Sequence, residues 1–201
     1  GHAAMHTDLK IVSPADYEAW LAAPEKNKPV PETAAVLAPD VMQLFDPSRM
    51  HALKDNMTLE WRVDGPLLHV RMKAPSFGWV AVGFNPASAM KGANFVIGYV
   101  QDGQVYVSDE FGTSETEHKP GESLGGKRRI SNVFGVETNG TTEIGFSLPL
   151  DPGDSVHRKI DPVAETTVLI AYSTTMDNFR SKHNYHATFK VNLTTGKFRR
   201  L

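Results

Sequence analysis

The sequence predicts an all-β chain, an antiparallel β-sandwich of immunoglobulin-like layout with about nine strands. Three observations carry that prediction. From Asp55 onward apolar residues recur at every second position in short runs. The runs stop at turn chemistry such as Asp64-Gly65-Pro66, Asp102-Gly103 and Asn139-Gly140. No stretch between these turns keeps a 3.6-residue period over ten residues, which argues against helical and parallel α/β folds.

The order along the chain begins outside the sandwich. Ser13 to Ala22 has an N-cap serine, a proline at the first helical position and acidic residues in the first turn, and predicts a short helix. Pro24, Pro29, Pro31 and Pro39 then forbid regular structure, giving an extended proline-rich arm. Residues 1–54 are thus expected to be an N-terminal arm with a short helix, and 55–201 a sandwich domain.

Within that domain Thr58–Val63 and Leu67–Met72 alternate on either side of the first turn and form a hairpin. Gly78–Phe84 is apolar on both faces, as a central strand is. Asn94–Val100 and Gln104–Ser108 flank Asp102-Gly103, the strongest hairpin signal in the chain. Strands at 130–137, 141–148, 166–172 and 188–193 complete the nine.

The chain has 201 residues, a formal charge of -2, 40% hydrophobic and 22% charged residues, which suits one well-buried domain plus an extension. No apolar run reaches the roughly 18 residues of a spanning helix. Basic residues are scattered rather than concentrated, so no nucleic-acid partner is expected; Lys127-Arg128-Arg129 reads as a solvated loop. The absence of cysteine excludes disulfides, thiolate catalysis and covalent haem attachment. Gly1-His2 looks like a tag remnant, and an export signal already removed would leave no trace. Nucleotide-binding glycine motifs and HExxH are lacking.

Few residues stand out chemically. His69 lies between Leu68 and Val70 and faces the side opposite them. His183 and His186 form an HxxH pair just before the last strand, without a third metal ligand at local spacing. Met90 falls in a loop between two strands, where a methionine is ordinarily a gap filler. Facing an imidazole, its thioether becomes half of an axial pair for haem iron.

Several segments in this order resemble the DOMON domains, in particular the haem-binding cytochrome branch. They are Gly78-Trp79-Val80-Ala81-Val82-Gly83-Phe84, the stretch Met90 to Tyr99, Asp102-Gly103, Thr142 to Leu150, and Asp177-Asn178-Phe179 followed by His183. The resemblance covers about Asp55 to Leu193 and implies a sandwich holding a non-covalent b-type haem for electron transfer, not an enzyme acting through its own side chains. It implies a methionine ligand after the central strand, which is Met90, and a histidine ligand before the final strand. Spacing from Asp177-Asn178-Phe179 favours His183 over His186. Trp79, Phe84, Phe95, Ile97, Phe146 and Tyr185 would line the slot if they face inward. Asn94 stands where an acidic residue is common in such domains. The resemblance further implies a redox partner protein or membrane cytochrome, and a periplasmic or extracellular location. A carbohydrate-binding module stacking sugars on Trp61 and Trp79 is the alternative. A hydrolase built on Asp109, Glu110, Glu115 or Glu117 with His118 is a third, weaker on the ground that 108–118 reads as a polar loop.

Overall fold

A computed structural model describes residues 39–201. The helix expected at Ser13–Ala22 and the proline-rich arm before Pro39 lie outside the described residues. The described chain opens with a four-residue helix α1 (Pro39–Met42) and two 3-10 turns. Twelve strands follow. They are β1 (His51–Lys54), β2 (Thr58–Asp64), β3 (Leu67–Ala74), β4 (Val80–Phe84), β5 (Asn94–Gln101) and β6 (Gln104–Gly112). After these come β7 (His118–Pro120), β8 (Ser131–Thr138), β9 (Thr141–Pro149), β10 (Glu165–Tyr172), β11 (Tyr185–Asn192) and β12 (Phe198–Arg200).

Every pairing is antiparallel, in a five-stranded sheet β1-β2-β3-β9-β8 and a seven-stranded sheet β12-β11-β10-β4-β5-β6-β7. All nine expected strands are present. The three others, β1, β7 and β12, are edge strands of four, three and three residues. Two turns form as their sequence demands. Asp102 and Gly103 have φ of 52° and 73°, and Asn139 and Gly140 of 50° and 72°, the left-handed pair that closes a two-residue hairpin with the right twist.

The sheets pack through one face each, and side-chain alternation decides which residues meet. Leu59 and Trp61 of β2, Leu68, Val70 and Met72 of β3, and Ile144, Phe146 and Leu148 of β9 face Val80, Val82 and Phe84 of β4 and Val168 and Ile170 of β10. Trp61 is fully buried, and its indole N–H donates to the Leu193 carbonyl at 2.9 Å, tying β2 to the end of β11.

Outside this core, two sequence expectations need correction. Ser108, Asp109 and Glu110 belong to β6, which runs to Gly112, so the polar segment is a strand for half its length. Arg129 is not solvated. Its Nε donates to Asp109 Oδ2 at 3.0 Å and its backbone N–H to the same oxygen at 2.8 Å, and His157 lies between Asp154 and Asp109 in the same buried cluster. This cluster ties β6 to the loops before β8 and β10. Among the described residues, no helix is long and apolar enough to cross a membrane.

Candidate functional site

The seven-stranded sheet is apolar on its outer face too. Residues of opposite parity to the core, Trp79, Ala81, Ile97 and Tyr99, form a second buried cluster with Ala171 and Phe179 against it. Two cross-strand rows make the floor of a cavity of about 650 Å³. One row runs His186, Ala171, Ala81, Ile97, and the next Thr188, Leu169, Gly83, Phe95. Small residues in the first row, Ala81 and Ala171, leave room above the sheet. Gly83 also admits the Phe95 ring: a Cβ there would sit 2.4 Å from Phe95 Cε1.

Three loops supply the rims, the β6–β7 loop with Glu115 and Thr116 and two others that leave opposite ends of the sheet. The register pairs Phe84 with Val168 and Val80 with Tyr172, so the β4–β5 loop and the β10–β11 loop emerge at opposite ends of β4 and β10. Both line the cavity, the first with Ala89 and Met90, the second with Arg180, Ser181, Lys182 and His183.

Each loop is fixed by its own bonds. In the first, Lys91 N–H donates to Ser88 O and Ala87 N–H to Lys91 O, both at 2.8 Å, and Gly92 N–H reaches Gly112 O at 2.8 Å. Gly112 has to be glycine: a Cβ would sit on the Met90 carbonyl. Asn94 is buried and exchanges two bonds with the Arg158 backbone, donating to its carbonyl at 2.6 Å and accepting from its N–H at 2.9 Å. A carboxylate accepts only, so it could not make both. In the second loop Asn178 Oδ1 accepts from the N–H groups of Arg180 and Ser181 at 3.0 and 2.8 Å, and Trp79 Nε1 donates to Ser181 Oγ at 2.9 Å.

Met90, His183, His186, Trp79, Phe95 and Ile97 therefore come together at one cavity. Phe84, Phe146 and Tyr185 do not. Phe84 and Phe146 lie in the inter-sheet core, while Tyr185 packs against that core and stacks on Tyr172 with ring centroids 5.3 Å apart. Parity explains this: Trp79 and Phe84 are five positions apart and Tyr185 and His186 adjacent, so neither pair can share a face. The His183 and His186 rings are 4.5 Å apart. Burial, with His186 and Lys182 nearby, lowers the His183 pKa and favours the neutral ring that a metal needs.

His118, reached here through β7, also lines the cavity, 5.5 Å ring to ring from Phe95. Its Nδ1 bonds the buried Glu110, which also accepts from Ser108 Oγ at 2.8 Å. Asp109, one position on, faces away toward Arg129. Ser108 donates to Glu110 and not to His118, so these groups do not set a base beside a nucleophile. Trp61 and Trp79 are both buried, at 0% and 4% exposure, so neither offers the open stacking surface of the carbohydrate alternative. Of the other lining residues, parity with Trp79 marks Ala81 in the sequence, while Ala171, Arg180 and Lys182 carry no local signal.

The DOMON domain pattern matches residues 53–173, more than half of the chain. The chain belongs to the DOMON family. Its fold is similar to the cytochrome b domain of pyranose dehydrogenase from Coprinopsis cinerea, at 10% identity and a TM-score of 0.57 over 74% of this chain and 84% of that one. It is also similar to the cytochrome domain of Myriococcum thermophilum cellobiose dehydrogenase, at 11% identity and a TM-score of 0.51 over 73% and 83%. In sequence, the DOMON chain is 27% identical over 105 residues to MOXD1 homolog 2 of Drosophila melanogaster, matching 52% of itself and 14% of that protein's length.

Proposed function

We propose that the cavity on the outer face of the seven-stranded sheet holds a non-covalent b-type haem, with Met90 and His183 as axial ligands, and that the domain passes single electrons to and from a partner protein. One observation carries the reading: Met90 and His183, brought by loops from opposite ends of the sheet, line the same apolar cavity. The residues present fit the group. The floor of Trp79, Ala81, Ile97, Leu169 and Ala171 is apolar, and the volume lies within the range of cofactor sites. Bound haem supplies one-electron chemistry at iron, and a methionine with a histidine raises its potential.

The protein's own parts then have distinct tasks. Trp79 holds the His183 loop through Ser181, and Gly112 sets the Met90 loop. Ligation by both Met90 and His183 would leave the iron no open site for oxygen, which would favour electron transfer over oxygen activation. The fungal relatives of this fold are cytochrome domains of dehydrogenases, which supports a dehydrogenase or a membrane cytochrome as partner. An exported location goes with such a partner; finding the natural precursor in the cytoplasm would count against it.

The test is spectral. Haem-loaded protein should give a low-spin spectrum that responds to dithionite. Met90→Leu should lower the midpoint potential, His183→Ala should lose haem, and His186→Ala should leave the spectrum nearly unchanged. Loss of the low-spin form in His186→Ala alone would move the ligand to His186, and indifference of all three variants would remove the site from this cavity.

A further inference from the structure

Resting on the haem reading, we propose that Arg180 and Lys182 receive the two propionate carboxylates of the porphyrin and so fix which edge of the macrocycle points out of the cavity. Both residues line the cavity beside His183. Arg62, Arg71, Arg129, Arg199 and Arg200 each face a carboxylate. Arg180 and Lys182 face none among the described residues. Two cations at the mouth of an apolar cavity, neither of them ion-paired to a carboxylate among the described residues, suit a ligand that brings its own negative charge.

The loop that carries them is built rather than loose. Asn178 caps the Arg180 and Ser181 N–H groups, Ser181 is bonded to the floor tryptophan, and Asn184 Oδ1 accepts from Thr174 N–H at 2.8 Å and Thr174 Oγ1 at 3.0 Å across the loop base. The backbone under both cations is held, while their side chains stay exposed and able to reach a carboxylate.

Charge on the other rim points the same way. Glu115 lines the cavity on the Met90 side, where Ser88 Oγ holds its Oε1 at 2.9 Å. A dianionic porphyrin edge turned toward Glu115 meets like charge; turned toward Arg180 and Lys182 it meets a planar guanidinium fork and an ammonium. The apolar edge would then be left to the apolar lining, which includes Ala81, Ile97 and Phe95. Two rims of opposite sign thus select one of the orientations that a flat, nearly symmetric macrocycle could take.

The experiment titrates the full chain, freed of haem, with ferric haem and separately with its dimethyl ester, whose carboxylates are capped. Soret absorbance and quenching of tryptophan fluorescence report binding. Wild type should bind the diacid about tenfold more tightly than the ester, and the preference should shrink as salt is raised. In Arg180→Gln/Lys182→Gln the preference should fall to near unity with ester affinity unchanged, which shows at once that the variant is folded. In Arg180→Glu/Lys182→Glu it should invert. Equal binding of diacid and ester by wild type, or an undiminished preference in the double glutamine variant, overturns the proposal. Failure of wild type to bind either porphyrin removes the haem reading beneath it, a result distinct from the other two.

Discussion

The outer faces of the two sheets are built on opposite rules. On the five-stranded sheet, Glu60, Arg71 and Glu143 form a cross-strand ladder on the outer face of β2, β3 and β9, with Arg71 3.3 Å from Glu60 and 2.6 Å from Glu143. Where that face is not charged it is covered by the protein: Phe45 packs on Phe134 and on His69, which bonds Ser147 Oγ at 2.7 Å. On the seven-stranded sheet Trp79, just before β4, and Ala81, Ile97, Tyr99, Leu169 and Ala171 of β4, β5 and β10 face outward. Loops border them and leave a cavity. A strand apolar on both faces has two surfaces to cover, and here the second is covered by loops and, in our reading, a flat ligand.

Substitutions can break this contrast, beginning with the core that both sheets share. Trp61→Ala should cost about 3–5 kcal/mol in urea unfolding, since it opens a sealed void and orphans the Leu193 carbonyl. Ile97→Ala, on the cavity floor, should cost only about 1–2 kcal/mol, because it enlarges an existing space rather than creating one, while weakening haem retention markedly. A stability loss equal to that of Trp61→Ala would mean the outer cluster is ordinary core.

A pH experiment probes the edge of the same face. Burial, with Glu137 and Asp102 nearby, raises the Asp177 pKa to about 6. A carboxyl raised in the folded state is tolerated best when protonated, so stability should fall as pH rises from about 4 to about 6. Asp177→Asn should flatten that window and add about 1 kcal/mol at neutral pH once partial exposure is discounted, as read by urea midpoints across pH. Smallest should be Lys73→Gln on the charged sheet. Its ammonium is 3.9 Å from Glu143 and half exposed, and Glu143 keeps Arg71, so the change should stay within about 0.5 kcal/mol.

What could be read from the sequence followed from the range of its causes. Nine strands and two hairpin turns were legible because alternation and positive-φ turn residues are local. The edge strands β1, β7 and β12 were not, since three or four residues carry no period and their pairing comes from neighbours distant in the chain. Met90, His183 and Trp79 were singled out by kind and order, yet strand parity, also local, separates Trp79 from Phe84. The burial of Arg129 against Asp109, the covering of His69 by Phe45 and the arrival of Arg180 and Lys182 beside the cavity depend on contacts between elements far apart in sequence.

The short edge strands also bear on how this domain behaves among its neighbours. An open sheet edge is an invitation to add a strand from another chain. The larger sheet ends on one side in His118-Lys119-Pro120, where a proline lacks the donor, and on the other in Phe198-Arg199-Arg200, where two cations stand. The smaller sheet ends in His51–Lys54, with a lysine, and in β8, whose register breaks between Ser131 and Phe134. Brevity, charge, proline and a bulge close off all four margins, so crowded copies of the sandwich resist joining into a continuous sheet.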